Sequence, residues 1–416
     1  MGDTFRAPAE FEPQSAVLLP WTPLDFPLAR MRESGAGVKA LTAQIAALLT
    51  RRVQVHLNCT DPALVDEARA ALTSAGADLD RVTIVTFPDE IGLYPRDNGA
   101  DILIGPDGSR RWVELRWSGY GLHEVGHPFT VEGAALAGRH ADLLGVADKV
   151  ETWLVSEGGD REVDGAGLLM AIAATELDRN PGRTLAEIEA ELRRLYQVSK
   201  VIWLPEGTYD DDCAQSGPLT TIDGVPVLRS GSARGHLDEV ARFVAPGTVL
   251  LAEVTDEEAH HSDIHAPNKE RIDAAYAALL AATDAGGHPL TIVRIPMPET
   301  MVFEVTSDDP LRHEWEAWLA TTDAPGRTLL DGTPVPDGDL LMAPAASYCN
   351  FLITNGLVIG QRYWEPGLPD AISAKDDAAA AVLRDLFPDR EVVMVPSLPL
   401  NFYGGGVHCH TRNVPA

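Results

Sequence analysis

The sequence is short of positive charge, of paired cysteines and of long apolar runs, and each shortage removes a class of function. Lys and Arg number 33 against 62 Asp and Glu, a formal net charge of −29 at pH 7. A field of that sign repels nucleic acid and anionic membranes and draws in cationic ligands. An acidic surface also serves solubility alone, so charge disfavours a polyanionic partner without naming a ligand. The four cysteines, Cys59, Cys213, Cys349 and Cys409, form no C-x-x-C pair, which excludes a zinc knuckle or a dithiol redox motif. No run approaches the roughly 18 apolar residues of a membrane-spanning helix. No glycine-rich phosphate loop opens a helix, so a nucleotide fold is not indicated. The stretch MGDTFRAPAEFEPQ has neither the basic nor the apolar segment of a secretory signal, and Arg6 stands where myristoylation needs Ser or Thr. The expectation is a cytoplasmic protein with reduced thiols.

What is present reads as an α/β protein. Apolar residues are 45% of the 416 and charged residues 23%, ordinary values for a globular chain. Short apolar strands alternate with amphipathic helices. AVLLPW, VQVHLN, VTIVTFP, ETWLVS, LLMAIAA, KVIWLP, TVLLAEV, TIVRIPM, SYCNFLITN, LVIGQRYW and EVVMVPS read as extended. GVKALTAQIAALLTRR, VEGAALAGRHADLLG, TLAEIEAELRRLYQ, NKERIDAAYAALLAAT and KDDAAAAVLRDLF have helical spacing, and DPALVDEARAALTSAG adds a capping Asp, an early Pro and a closing Gly. The longest irregular stretches fall near 205–235 and 321–340. The pattern predicts one domain over residues 1–416, built from five βαβ-like modules of roughly 80 residues.

Four polar clusters interrupt the apolar pattern near strand ends: YPRDNGAD (94–101), SEGGDREVDG (156–165), RGHLDEVARF (234–243) and GGGVHC (404–409). Each places a charged or nucleophilic residue beside glycine, which lets backbone and ligand approach closely. Taken singly, each has a structural reading: a local Arg96–Asp97 pair, a turn at EGGD, a core His236, a capping Asp238. Taken together they assemble a cysteine, a histidine and several carboxylates from separate modules. Cys409 is a candidate nucleophile, since a thiolate beside positive neighbours is reactive. His236 titrates near neutrality and suits proton transfer. Asp97 and Asp238 would repel the oxyanion of ester or amide attack, but they match the paired N–H donors of a guanidinium. The chemistry reads as attack on a guanidinium carbon.

The histidines that flank Cys409 and those of HHSDIH also have structural readings. If the segment around Cys409 is extended, His408 and His410 face away from it, and His410 is given a structural role. HHSDIH (260–265) reads as a solvated loop because of Pro267 and its polar surroundings.

These residues resemble the guanidino-group modifying enzymes, and within them the agmatine deiminases. PAEFEPQSAVLLPW, YPRDNGAD, SEGGDREVDGAG, GHLDEVARFVAPGTVLLAEV, and ASYCNFLITNGLVIGQRY through FPDREVVMV to GGGVHC are similar to the family's segments, in order, over nearly the whole chain. The resemblance implies a five-bladed α/β propeller with pseudo-fivefold symmetry, the pentein fold. It implies Cys409 as nucleophile, Asp97 and Asp238 as guanidinium clamps, His236 as general acid and base, and Glu157 as the residue orienting that histidine. It implies no metal and no organic cofactor. The chain departs from the family's usual pattern in the shorter GGGVHC spacing, in Glu239 after HLD, in HTRNVP, and in LRWSGYG (115–121), from which Trp117 is taken as a substrate-binding candidate.

The leading expectation is therefore a deiminase that converts a small guanidino substrate, agmatine first, to a ureido product and ammonia. An amidinotransferase shares the same core and remains open, as does a silent binding protein on the same fold. The expected partner is a small guanidino molecule, with neither nucleic acid nor membrane, and a homo-oligomer is left open.

Overall fold

The computed structural model describes residues 5–87, 92–320 and 326–416, so the start of the stretch expected to be irregular over 321–340 lies outside the described residues. Local sequence explains most elements. Helix Leu185–Tyr196 starts at a capping box, Thr184 with Glu187, and buries Ile188, Leu192 and Leu195 along one face. The strand before it, Leu168–Ile172, is buried at every position, as a strand covered on both faces must be.

Five sheets share one plan: an antiparallel strand pair, then a helix that crosses over to a parallel strand. The first joins Arg412–Pro415, Gln14–Trp21 and, across helix Val38–Leu49, Gln54–Cys59, with Val82–Val85 added at its edge. The second joins Asp101–Ile104, Arg110–Arg116 and, across helix Pro128–Leu143, Lys149–Val155. The third joins Arg161–Val163, Leu168–Ile172 and, after Leu185–Tyr196, Lys200–Leu204. The fourth joins Ala241–Ala245, Thr248–Glu253 and, across helix His265–Ala281, Thr291–Pro296. The fifth joins Leu352–Thr354, Leu357–Arg362 and, across helix Asp370–Leu386, Glu391–Pro396. The last strand of the chain thus completes the first sheet.

Three local expectations are corrected. Residues 205–235 are not wholly irregular: Thr220–Ile222 and Val225–Arg229 form a hairpin in a sixth sheet with Leu340–Ala343 and Phe303–Val305. Its turn is Asp223–Gly224, both at positive φ, the two-residue hairpin signal that the sequence carries. HHSDIH is not a loop. His260 and His261 end helix Asp256–His261, which opens at the Thr255–Glu258 capping box, and His265 begins the next helix. Pro267 falls in that helix's first turn, where a missing N–H costs little. In LLMAIAA, Ala173 already starts the helix Ala173–Arg179. Among the described residues no helix is long and apolar enough to cross a membrane.

Candidate active site

Each of the five sheets is entered through a short turn, and these turns carry the polar clusters. Asp97 lies in Pro95–Asn98, just before strand Asp101–Ile104. Glu157 caps the turn Gly158–Asp160, which runs into Arg161–Val163. His236 and Asp238 lie at the turn Leu237–Glu239, before Ala241–Ala245. Cys409 lies in a turn before Arg412–Pro415, and Asn350 follows a turn before Leu352–Thr354.

Five of the six expected residues, Cys409, His236, Glu157, Asp97 and Asp238, meet in one buried cluster. Cys409 Sγ is 3.4 Å from Asp238 Oδ2 and receives a hydrogen bond of 3.0 Å from Asn350 Nδ2. His236 Nδ1 is 3.6 Å from Asp97 Oδ1, and its Nε2 is 3.6 Å from Glu157 Oε2. Gly159 marks their meeting point. A Cβ there would lie 2.5 Å from His236 Nδ1, 2.9 Å from Asp97 Oδ1 and 3.1 Å from Asp238 Oδ2, so any side chain would fill the space these groups share. The Gly159 N–H donates to Asp97 Oδ1 at 3.0 Å.

The electrostatics follow from burial and neighbours. Burial opposes charge on His236, but Asp97, Glu157 and Asp238 outweigh it and lift the imidazole to about 10. Burial pushes the Glu157 carboxyl up, yet Arg179, at 2.8 Å and 3.2 Å from its two oxygens, and His236 bring it down to about 2. Burial, then Asp238, Asp97 and Glu239, push the Cys409 thiol well above its ordinary value, while Asn350 acts the other way. Burial pushes the Asp238 carboxyl up, but the hydrogen bond and charge of His408, with His236 and Arg242, together hold it below the usual carboxylate range. Among the described residues Asp238 Oδ1 and both His236 nitrogens have no hydrogen-bond partner. Buried polar atoms left without partners are costly, and here they belong to two residues that face one shared space.

The sixth candidate, Trp117, stands one residue away from the cluster. Its ring packs edge-on against Tyr120 at 5.8 Å, and Tyr120 is the residue that touches the site. The Tyr120 hydroxyl donates to Asp97 Oδ2 at 2.9 Å, and its ring lies 5.7 Å from His236. Its backbone has φ of 60° between Gly119 and Gly121, both also at positive φ. Arg234 fastens this cover by donating to the Tyr120 carbonyl at 2.6 Å and pairing with Asp178 at 3.4 Å. An open cleft of about 520 Å³ is lined by Ser118, Gly121 and Arg179, and another of about 360 Å³ by Asp178, Arg234 and Gly235.

The expectation for His408 is corrected. Residues 407–410 form a turn, so strand alternation does not apply, and His408 reaches Asp238. Its Nδ1 is 2.6 Å from Asp238 Oδ2 and its Nε2 is 2.7 Å from Glu10 Oε2. Glu10 is in turn 3.1 Å from both Arg96 and Arg242. A cavity of about 110 Å³ lies behind, lined by Glu10, Arg96, Gly158, Glu162, His408 and Arg412, and does not reach Cys409. His410 sits apart between Thr42 and the Leu93 carbonyl, each at 2.8 Å, and burial brings it down to about 4.

Two trios have metal-ligand spacing, Glu10–Glu162–His408 and Asp238–Glu239–Cys409. In the first, Arg242 already pairs with both carboxylates, so the donor set fits an ion-pair network. The second keeps Asp238 Oδ1 and Glu239 Oε2 without partners, among the described residues, around the thiol. That donor set also matches the N–H groups of a guanidinium.

Sequence reasoning passed over Tyr120, Asn350, Arg179 and Asp211. Asp211 accepts from the backbone N–H groups of Ala233, Gly235 and His236, which fixes the loop that presents the histidine. For Asn350 a signal exists in the sequence: five modules imply five lead-in turns, and the four polar clusters supply only four.

The chain is similar to known deiminases over its whole length. The model of the Porphyromonas-type peptidyl-arginine deiminase family matches residues 6–217 and 220–415. The agmatine deiminase of Stutzerimonas stutzeri (strain A1501) is 31% identical over 417 residues, covering 100% of this chain and 96% of its own. That of Pseudomonas aeruginosa (strain LESB58) is 30% identical with the same coverage. Among solved structures, the agmatine deiminase of Enterococcus faecalis superposes with a TM-score of 0.71 at 25% identity, over 99% of this chain and 96% of that one.

Proposed function

The chain belongs to the Porphyromonas-type peptidyl-arginine deiminase family, and from that membership we propose that it hydrolyses the guanidine of agmatine to a ureido product and ammonia. It is a hydrolase acting on the C–N bonds of amidines. The relatives named above are agmatine deiminases and none is an amidinotransferase, so that alternative is dropped.

The observation that carries the reading is the buried thiol of Cys409 facing a space bounded by Asp97, His236 and Asp238, with Asp238 Oδ1 unpartnered among the described residues. In this reading Asp97 and Asp238 take the guanidinium between them, and Trp117 acts on the substrate side only through Tyr120. The arriving cation offsets the carboxylate field that holds both the thiol and the imidazole up. The thiol then gives its proton to solvent as the guanidinium binds, and His236 keeps its own for the leaving nitrogen. Sγ bonds to the guanidinium carbon, giving a tetrahedral adduct. His236 protonates the departing nitrogen, the C–N bond breaks and ammonia leaves an amidino-thioether. The now neutral His236, oriented by Glu157, takes a proton from water, which attacks the same carbon. The C–S bond breaks as the new hydroxyl gives its remaining proton to solvent, which releases the ureido product and the thiolate. No metal or organic cofactor enters these steps.

We read the five repeated sheets as blades of one pseudo-fivefold propeller and the whole chain as a single catalytic unit. Support comes from their common plan and from the contribution each lead-in turn makes to one cluster. A cytoplasmic setting suits an enzyme whose four cysteines are all free.

The test is a product screen. Agmatine, free arginine and a blocked peptidyl-arginine are incubated with the purified protein, and ammonia and ureido product are read together. Agmatine is expected to give the two one for one, with Cys409→Ala reducing turnover by at least about a thousandfold. Turnover of peptidyl-arginine in preference to agmatine would replace the substrate, and full activity of Cys409→Ala would remove the nucleophile.

A further inference from the structure

We propose that Asp178 is a specificity-determining residue, whose carboxylate takes the far ammonium of agmatine where the substrate chain emerges past Tyr120. The proposal rests on the reading of agmatine as substrate and leaves the chemistry to the buried cluster.

The sequence places an acid where local structure does not ask for one. Asp178 lies in the last turn of helix Ala173–Arg179, and a carboxylate there opposes the helix dipole. What it meets is the cover of the site. At one end of Tyr120 the hydroxyl donates to Asp97 Oδ2 at 2.9 Å. At the other end the Tyr120 carbonyl accepts from Arg234 Nη1 at 2.6 Å, and Arg234 Nη2 is 3.4 Å from Asp178 Oδ2. A Cβ on Gly121 would lie 2.8 Å from Asp178 Oδ2 and 2.8 Å from Arg234 Nη1, so the carboxylate sits against the backbone that follows Tyr120.

Asp97 and Asp178 therefore stand at the two ends of one tyrosine. From Cα to hydroxyl a tyrosine spans about 6.5 Å, close to the reach of the extended four-methylene chain between the guanidine and amine nitrogens of agmatine. A guanidinium on Asp97, with its chain along the Tyr120 ring, brings the ammonium to Asp178. The carboxylate is half-exposed and lines both open clefts, so it is reached from outside while the cluster is not. Other acids on the cleft walls fit less well. Glu206 and Asp212 are paired with Arg271, and Glu124 lines one cleft only. Asp178 is paired too, with Arg179 Nη1 at 2.7 Å, but neither arginine depends on it. Arg179 holds Glu157 through Nε, and Arg234 keeps the Tyr120 carbonyl. The longer contact to Arg234 is the one that yields to an ammonium.

The experiment compares agmatine with pentylguanidine, which has a methyl group where agmatine has its ammonium. Both are given to the intact protein, to Asp178→Asn, which keeps the shape and loses the charge, and to Asp178→Glu, which keeps the charge. The quantity read is the ratio of kcat/KM between the two substrates. Asp178→Asn is expected to lower that ratio about fivefold or more, through KM for agmatine, with its kcat within about twofold. Asp178→Glu is expected to hold the ratio within about twofold of the intact protein's. If the ratio in Asp178→Asn stays within about twofold, whether both substrates lose alike or neither does, Asp178 serves only the Arg234 contact and the proposal falls. An intact protein that releases no ammonia from agmatine overturns the substrate reading first and the proposal with it, so the two failures are told apart.

Discussion

His236 is buried among carboxylates, and that ties the protein's stability to pH at the alkaline end. Its ordinary value is 6.5 and the fold lifts it to about 10. The stability it gains with Asp97, Glu157 and Asp238 is complete below about pH 6.5 and drains away as pH rises through about 10. Glu157 acts at the other end. Its carboxyl falls from 4.5 to about 2, so its contribution is complete above pH 4.5 and is lost as pH falls through about 2. His236→Gln should therefore flatten the decline of the urea midpoint from about pH 7 to about 10, leaving the acid limb to Glu157 and its Arg179 partner. A variant whose alkaline slope parallels that of the parent would show that another group titrates there.

The elements that build the site are short turns, and their precision is steric. Gly159 needs no unusual φ, so replacing it with Ala costs nothing in the backbone and tests the crowding alone. The new methyl would press on His236, Asp97 and Asp238 together. Gly159→Ala should lower kcat/KM by at least about a hundredfold while the melting temperature moves by only a few degrees. Unchanged kinetics would mean that the three groups do not share that space during turnover. The same turns explain what was legible beforehand. YPRD, SEGG, GHLD and GGGVHC announced themselves as charge or sulfur beside glycine inside an apolar pattern. The fifth lead-in, SYCN, carries no charge and was absorbed into the following strand. Tyr120 was hidden differently, since its loop is 23 residues from Asp97 in sequence and only the folded chain brings the hydroxyl to the carboxylate. His408 was misread because alternation holds for a strand and the segment is a turn. The Asp223–Gly224 hairpin was legible from its dipeptide and was overlooked within a polar stretch.

At the scale of the molecule the excess of carboxylates has two readings, and salt separates them. A net charge of −29 either keeps the surface hydrated or gathers a cationic substrate toward the clefts beside Tyr120. Solvation alone leaves kcat/KM insensitive to ionic strength. Gathering works through a field that is screened, with a Debye length of about 10 Å at 0.1 M salt and about 3 Å at 1 M. Agmatine carries two positive charges, and arginine one in net, so the field acts more strongly on the former. Between about 0.1 M and 1 M salt, kcat/KM for agmatine should fall about tenfold and that for arginine by less, with kcat for both nearly constant. Charges inside the cluster are shielded from bulk ions by burial, so a salt effect confined to kcat/KM would belong to the surface field and not to the buried carboxylates of Asp97 and Asp238. Equal or absent salt dependence for the two substrates would leave the acidic surface with solvation as its whole role, and selectivity for agmatine would then have to come from the residues around Tyr120.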